Sequence, residues 1–140
     1  MALALSASEV MTYMEEVFPQ MAGEFAIDHL DEDVLIMRLN VQEKHLRPGG
    51  TVSGPSMFGL ADCAAYVATM ARIGREALTV TTSCSIDFMR KPSAGKDLVA
   101  HTRVLKLGRS LSVTDCLIYS VGQAEPVARA NMTYAIPPRR

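Results

Sequence analysis

The chain has 140 residues, of which 49% are hydrophobic and 21% charged, values typical of a single soluble globular domain spanning residues 1–140. Its net charge of -1 argues against a general nucleic-acid-binding protein, which normally has a basic surplus. The N-terminus lacks the basic start of a secretory signal, and Cys63, Cys84 and Cys116 show neither a CxxC pair nor metal-ligand spacing. We therefore expect a cytoplasmic protein with reduced, mostly buried thiols, no membrane span and no metal or redox cofactor.

The first 41 residues predict a helix followed by a hairpin. Residues 8–18 place apolar side chains on one helical face and end at Pro19. The apolar runs 24–30 and 34–41 are separated by an acidic turn, a pattern typical of two antiparallel strands.

A much longer helix is predicted over residues 55–73. Its first residue is a proline, which suits that position, and Ser53 or Gly54 would be the cap. Gly74 is the expected end. The helix is apolar almost all round, so we expect other elements to surround it. Because it contains Asp62, a buried helix is favoured over a membrane span.

Four strands are predicted after the long helix, and we expect them to form an antiparallel meander. Residues 77–89 alternate, so one apolar and one polar face are expected. A sheet curled around one buried helix is an α+β roll, the arrangement of the hotdog fold. The other strands are predicted over residues 98–107, 111–121 and 127–136. The polar face comprises Thr79, Thr81, Ser83, Ser85 and Asp87.

Two features of the long helix suit chemistry on a substrate. Asp62 is its only acid, and a lone carboxylate among apolar residues is a candidate base or nucleophile, although it can also serve only to bond a loop N–H. Tyr66 and Thr69 share its face, four and seven residues further on. The helix N-terminus at Gly54 presents unpaired N–H groups that suit a substrate oxygen.

The segment from His45 to Asp62 resembles the loop-helix motif of hotdog thioesterases of the phenylacetate-degradation (PaaI-like) type. That motif can be written H-x-N-x-x-G-x-x-H-G-G, followed by a spacer and L-A-D. The order of helices and strands is also similar, over nearly the whole chain. The resemblance implies a thioesterase that hydrolyses a medium-sized or aromatic acyl-coenzyme A. The matching positions are His45, Gly50, Gly54, Leu60, Ala61 and Asp62.

The resemblance also implies roles for individual residues. Gly54 would donate its N–H to the thioester carbonyl, and Asp62 would act as nucleophile or as general base for water. Thr81 stands where relatives carry a Ser or Thr that positions the attacking water. Several neighbouring hydroxyls compete for that role, and Thr81 can equally be an ordinary strand residue.

Three positions depart from the family motif. Arg47 replaces an Asn that helps to hold the thioester end, so we expect Arg47 to contact an anionic part of the ligand. Ser53 replaces the second His, and we assign it with His45 to substrate binding, although His45 can instead anchor the loop through hydrogen bonds. Pro55 replaces the last Gly and has no N–H, so it provides no second oxyanion donor.

Basic residues near strand ends are the expected partners of the coenzyme phosphates. For any one of them a solvated strand end is the simpler interpretation, and the cluster is a stronger prediction than its members. Tyr66 is expected to contact the acyl group. The predicted cations are Arg90, Lys91, Lys106 and Arg109.

Helix geometry predicts a homodimer with shared active sites. Gly54 and Asp62 are separated by about 12 Å along one helix, at 1.5 Å per residue, so one chain does not bring both to the same thioester. Relatives are usually dimers that pair into homotetramers. Two alternative functions remain at this point: a dehydratase or hydratase that uses His45 with Asp62, and a non-catalytic acyl-coenzyme A binding protein.

Overall fold

One antiparallel sheet curls around one long helix in this protein. A computed structural model describes residues 2–138. Together these elements give the predicted α+β hotdog architecture. In chain order they are helix α1 (Ala7–Val17), a 3-10 turn (Pro19–Met21), strands β1 (Phe25–Leu30) and β2 (Leu35–Leu39), a second 3-10 turn (Glu43–His45), helix α2 (Gly54–Ile73), and strands β3 (Val80–Phe88), β4 (Leu98–Leu107), β5 (Leu111–Ser120) and β6 (Ala128–Ala135).

Helix α2 is the centre of the core, as its sequence predicts. The Ser53 hydroxyl accepts a hydrogen bond from the Ser56 N–H at the N-terminus, and Gly74 ends the helix with φ 94°. Most of its side chains are buried, and it packs against five strands and α1. Among residues 2–138, no helix is long and apolar enough to cross a membrane.

The strand order differs from the predicted meander. Strands β4, β5 and β6 are consecutive neighbours, but β3 pairs with β6, and the full order is β1-β2-β4-β5-β6-β3. The segment after β3 passes β6 and β5 before β4 begins. Its first N–H groups, from Met89 and Arg90, both donate to the Val127 carbonyl next to β6. Strand β3 is therefore an edge strand with one unpaired side.

A bulge in β3 corrects the predicted faces of that strand. Thr81 pairs with Tyr134 and Ser83 with Thr133, so Thr82 has no partner of its own in the ladder. Beyond the bulge the alternation is reversed, and Thr81 lies on the helix side of the sheet rather than with Ser83 on the outer side. Strict alternation in the sequence does not reveal the extra residue.

The three cysteines are in two different environments. Cys63 and Cys116 are buried, as predicted, whereas Cys84 is exposed on the edge strand β3. Burial raises the pKa of the Cys63 thiol to about 12 and that of Cys116 to about 11. Both buried cysteines therefore remain neutral thiols at physiological pH.

Candidate active site

The Asp62 side chain is held by two hydroxyl groups from the neighbouring strands. The Thr81 hydroxyl donates to Asp62 Oδ1 at 2.8 Å, and the Tyr134 hydroxyl donates to the same oxygen at 2.5 Å. Tyr134 also contacts the Asp62 backbone carbonyl at 2.9 Å. Within residues 2–138, no hydrogen-bond partner contacts Asp62 Oδ2. The carboxylate is thus fixed through one oxygen, and the other is open to a ligand.

Tyr134 is a member of this site that the sequence interpretation did not identify. Burial, together with the hydrogen bond to Asp62, raises the pKa of the Tyr134 phenol well above its ordinary value, so the hydroxyl remains a donor. The inward side chains of β6 are otherwise apolar: Ala128, Ala130 and Met132. The sequence does contain a signal for this role, because Tyr134 places a single hydroxyl on the otherwise apolar face of the strand predicted over residues 127–136.

A cavity of about 360 Å³ opens beside Asp62. Tyr66 lines it, and its hydroxyl donates to the Ala77 carbonyl at 3.0 Å. Burial raises the pKa of Tyr66 to about 12, so its polar end is neutral. Thr69 lies elsewhere, fully buried and hydrogen-bonded to Ser112 at 2.9 Å. The cavity is mostly apolar, and Asp62 is the charged residue in its lining.

Gly54 presents the first N–H of α2 at the other end of β3. That N–H has no acceptor among the residues that the structure describes, because Ser53 caps Ser56 instead. The Phe88 ring lies against Gly54, where a Cβ added to the glycine would be 3.4 Å from it. The Ser53 hydroxyl therefore caps the helix, and this contact occupies the group that the sequence analysis assigns to substrate binding.

His45 anchors the loop before α2. Its Nδ1 accepts a hydrogen bond from the Gln42 N–H at 2.9 Å, which leaves the proton on Nε2, 2.9 Å from Glu24 Oε1. The His45 carbonyl accepts from the Ser53 N–H at 2.8 Å. Both ring nitrogens are occupied, so His45 has no free ring atom for the predicted substrate contact or for a dehydratase reaction with Asp62.

Two of the predicted cations converge with Arg47 beside Gly54. Arg47, Arg90 and Lys91 line one cavity of about 460 Å³, together with Gly54 and Phe88. Arg90 is tied to Glu125 at 2.9 Å, whereas Arg47 and Lys91 form no ion pair within the described part of the chain. The cavity is a short, positively charged recess at a helix N-terminus, which suits a phosphate-bearing ligand.

Lys106 and Arg109 do not join that recess within one chain. Arg109 lines a different cavity with Ile73, at the C-terminal end of α2. The strand register explains the separation. Phe88, just before Arg90, pairs with Ala128 at one end of β6, whereas Leu111, just after Arg109, pairs with Ala135 at the other end.

Neither cavity resembles a metal site. Among residues 2–138, no group of three or more His, Cys, Asp or Glu side chains is arranged to hold a metal ion. The polar groups that line these two cavities instead include the Asp62 carboxylate with its two hydroxyl partners, the helix N-terminus at Gly54 and three cations.

Comparison with known proteins agrees with this geometry. The thioesterase superfamily model matches residues 49–127, more than half of the chain. The fold is similar to the crystal structure of a candidate thioesterase from Silicibacter sp. TM1040, with a TM-score of 0.93 and 59% identity over 99% of this chain and 96% of that one. It is also similar to the Escherichia coli PaaI protein from the phenylacetic acid degradation operon, with a TM-score of 0.80 and 25% identity over 97% and 96% of the two chains.

A sequence relative covers most of the chain as well. The candidate esterase F42H10.6 of Caenorhabditis elegans is 24% identical over 96% of this chain and 85% of its own length. The family predicted from the loop-helix motif is thereby confirmed. The chain belongs to the thioesterase superfamily and is a hotdog-fold thioester hydrolase.

Proposed function

We propose that this protein hydrolyses the thioester of a medium-sized or aromatic acyl-coenzyme A, with Asp62 as the reacting carboxylate. The observation that carries the proposal is that only one of the two Asp62 carboxylate oxygens is hydrogen-bonded within residues 2–138. Thr81 and Tyr134 occupy Oδ1, which leaves Oδ2 as the oxygen available to a ligand in the largely apolar cavity that Asp62 lines. Such a group is positioned for attack or proton transfer without needing to reorient.

The arrangement supports either role of Asp62. As a base, Oδ2 takes a proton from water while the water oxygen attacks the carbonyl carbon; the C–S bond then breaks and the coenzyme thiolate leaves with that proton. As a nucleophile, Oδ2 attacks the carbonyl carbon, the C–S bond breaks and the coenzyme thiolate leaves. Water then hydrolyses the resulting anhydride to the free acid and the Asp62 carboxyl group, whose proton passes to the thiolate. In both routes the N–H of Gly54 stabilises the oxyanion. The proposal uses no metal or redox cofactor, since coenzyme A is part of the substrate.

Each active site is proposed to combine two copies of the chain. Strand β3 has an unpaired edge and exposed apolar residues, with Val80 56% and Phe88 52% exposed, so pairing with a second β3 would cover them. Thr81 lies beside Asp62 and Phe88 beside Gly54. An antiparallel register that sets Thr81 opposite the partner's Phe88 would therefore bring Asp62 toward the partner's Gly54.

This pairing would also give the substrate a continuous path. The acyl group would occupy the cavity beside Asp62 of one copy, and the coenzyme would lie in the basic recess of the other. Arg47 and Lys91 are the unpaired cations there among the described residues, and they would hold phosphate oxygens. We further propose that such dimers pair into tetramers and that the enzyme works in the cytoplasm.

A thiol-release assay with a panel of acyl-coenzyme A esters tests the activity. We expect wild-type protein to release thiol and Asp62→Asn to lose about 100-fold or more in kcat while remaining folded. The change is nearly isosteric, and it keeps an oxygen that the two hydroxyls can contact. Asp62→Asn protein with full specific activity would make Asp62 structural. Binding of the esters with no thiol release by wild-type protein would favour the non-catalytic alternative.

Mixed dimers test the shared site. Gly54→Pro removes the N–H at a helix position that tolerates proline, and Asp62→Asn removes the reacting carboxylate. Each variant alone is expected to be inactive. A mixed dimer should recover about one working site in two, because both substitutions fall in one of its two active sites and the other site keeps Gly54 and Asp62. Inactivity of verified mixed dimers, or activity in a demonstrated monomer, would contradict the shared-site arrangement.

A further inference from the structure

The cavity beside Asp62, here called the site cavity, has a second cavity behind it. The second one lies under α1, has a volume of about 40 Å³ and is called the α1 cavity here. The two cavities share four lining side chains, so these side chains form the wall between them. The shared residues are Met14, Phe18, Met21 and Cys63.

Most of this wall can move. Methionine side chains are unbranched and flexible, and they adapt to irregular apolar ligands. Phe18 follows the last residue of α1 and is 40% exposed, so its ring is not locked in the core. Cys63 is the fixed part of the wall; it is buried, and its raised pKa keeps it a neutral thiol. It directly follows Asp62, so the wall begins one residue from the reacting carboxylate.

The α1 cavity itself is built for a narrow apolar group. Beyond the shared wall it is lined by Met11, Phe25 and Met37, with Glu15 as its charged residue. Met37 is fully buried and Phe25 nearly so, which makes its floor rigid and apolar. Its volume of about 40 Å³ exceeds the roughly 10–15 Å³ that one water-sized group needs, so it has room for the end of a narrow chain before the methionines move.

We infer that the two cavities form one acyl channel, in which a straight aliphatic chain passes the methionine wall and ends under α1. This inference rests on the proposed function and narrows its substrate class. The shared wall includes the unbranched side chains of Met14 and Met21, so a thin unbranched chain needs a smaller displacement of the wall than a planar ring does. The preferred substrates are therefore straight-chain acyl esters long enough to reach the α1 cavity.

A chain-length series tests the channel. The probes are straight-chain acyl-coenzyme A esters of increasing length, with phenylacetyl-coenzyme A as the aromatic comparison. Each methylene that enters the channel should raise kcat/KM about 4-fold, from about 0.8 kcal/mol per buried methylene, until the α1 cavity is full. Longer straight chains should thus exceed both short chains and the aromatic ester.

A blocking variant locates the channel in the fold. Met11 lines the α1 cavity but not the site cavity, and it is half-buried, so Met11→Phe fills the far end alone. We expect the ratio of kcat/KM between the longest and shortest good substrates to fall about 10-fold or more. Leu30→Phe is the matched control, because Leu30 is also half-buried against the core and lines neither cavity. Its ratio should match the wild-type ratio.

The outcomes separate this inference from the proposed function. Thiol release that is confined to short or aromatic esters, or an unchanged ratio in folded Met11→Phe, overturns the channel and leaves the thioesterase activity intact. An equal fall in Leu30→Phe also overturns it. No release with any ester overturns the proposed function itself. If Met11→Phe does not fold, as shown by its melting temperature, the wild-type length profile decides.

Discussion

Tyr134→Phe removes one hydroxyl from the candidate active site and little else. The ring, its burial and its contact with the Tyr66 ring at a centroid distance of 5.9 Å are kept. The lost oxygen is the one that donates to Asp62 Oδ1 at 2.5 Å and contacts the Asp62 carbonyl at 2.9 Å. After the change, Thr81 alone holds the carboxylate, and Asp62 is free to sample rotamers in which Oδ2 no longer faces the site cavity.

The expected loss follows from the strength of the hydrogen bond. A hydrogen bond to a charged group contributes about 1.5–3 kcal/mol, and if the transition state depends on it fully, kcat falls about 10- to 100-fold. KM should change little, because Tyr134 touches the carboxylate rather than the coenzyme. The free energy of unfolding should fall by only about 1 kcal/mol, since the ring remains packed.

Thiol release by Tyr134→Phe, measured in wild-type and in Asp62→Asn protein, shows whether Tyr134 positions Asp62 or only packs in the core. In the wild-type background Tyr134→Phe lowers kcat, whereas in the Asp62→Asn background it should cause almost no further loss, because the group that it positions no longer reacts. A lowered melting temperature with unchanged kcat would refute the reasoning and make Tyr134 a packing residue. An equal loss of kcat in both backgrounds would refute it as well.

Three other substitutions test neighbouring parts of the argument. Thr81→Val should lower kcat by less than Tyr134→Phe, because the Thr81 hydroxyl donates at 2.8 Å from an exposed residue, whereas Tyr134 is buried. A larger effect would assign Thr81 a direct role with water. Arg47→Asn should raise KM for every coenzyme A ester with little change in kcat, and identical constants across the panel would exclude a ligand contact. The hydrogen bond from His45 lowers the pKa of Glu24 from 4.5, so that contact stabilises the fold above this pH and is lost as the pH falls through the lowered value. Glu24→Gln should therefore lower the melting temperature near neutral pH, and a difference that does not shrink as the pH falls below 4.5 would contradict this.

Local signals in the sequence were sufficient to predict the helices and strands and to single out Asp62 as the candidate reacting acid. Ser53 and Gly74 mark the two ends of α2 because capping depends on one or two residues in a known backbone conformation. Asp62 is recognisable because a carboxylate on an otherwise apolar helix has few structural explanations. The helix begins at Gly54, one residue before the predicted start, within the usual uncertainty of a helix end.

The features that we did not predict depend on contacts between residues far apart in the sequence. The position of β3 beside β6 depends on how a connection crosses the sheet, and no residue pattern within β3 encodes it. The separation of Arg109 from Arg90 follows from the same register. Tyr134 is 72 residues from Asp62, so their contact becomes visible only when β6 is placed over α2.

The bulge at Thr82 gives the site a form of redundancy. Without the bulge, regular alternation would turn Thr82, rather than Thr81, toward α2. Both residues are threonine, and Thr82 currently donates its hydroxyl to the Thr133 carbonyl at 3.2 Å. A one-residue slip of the edge strand would therefore replace one donor with a chemically identical one. A slip of β3 by one residue would thus still leave a threonine hydroxyl beside Asp62. This matters because β3 is an edge strand, where such errors in register occur most readily.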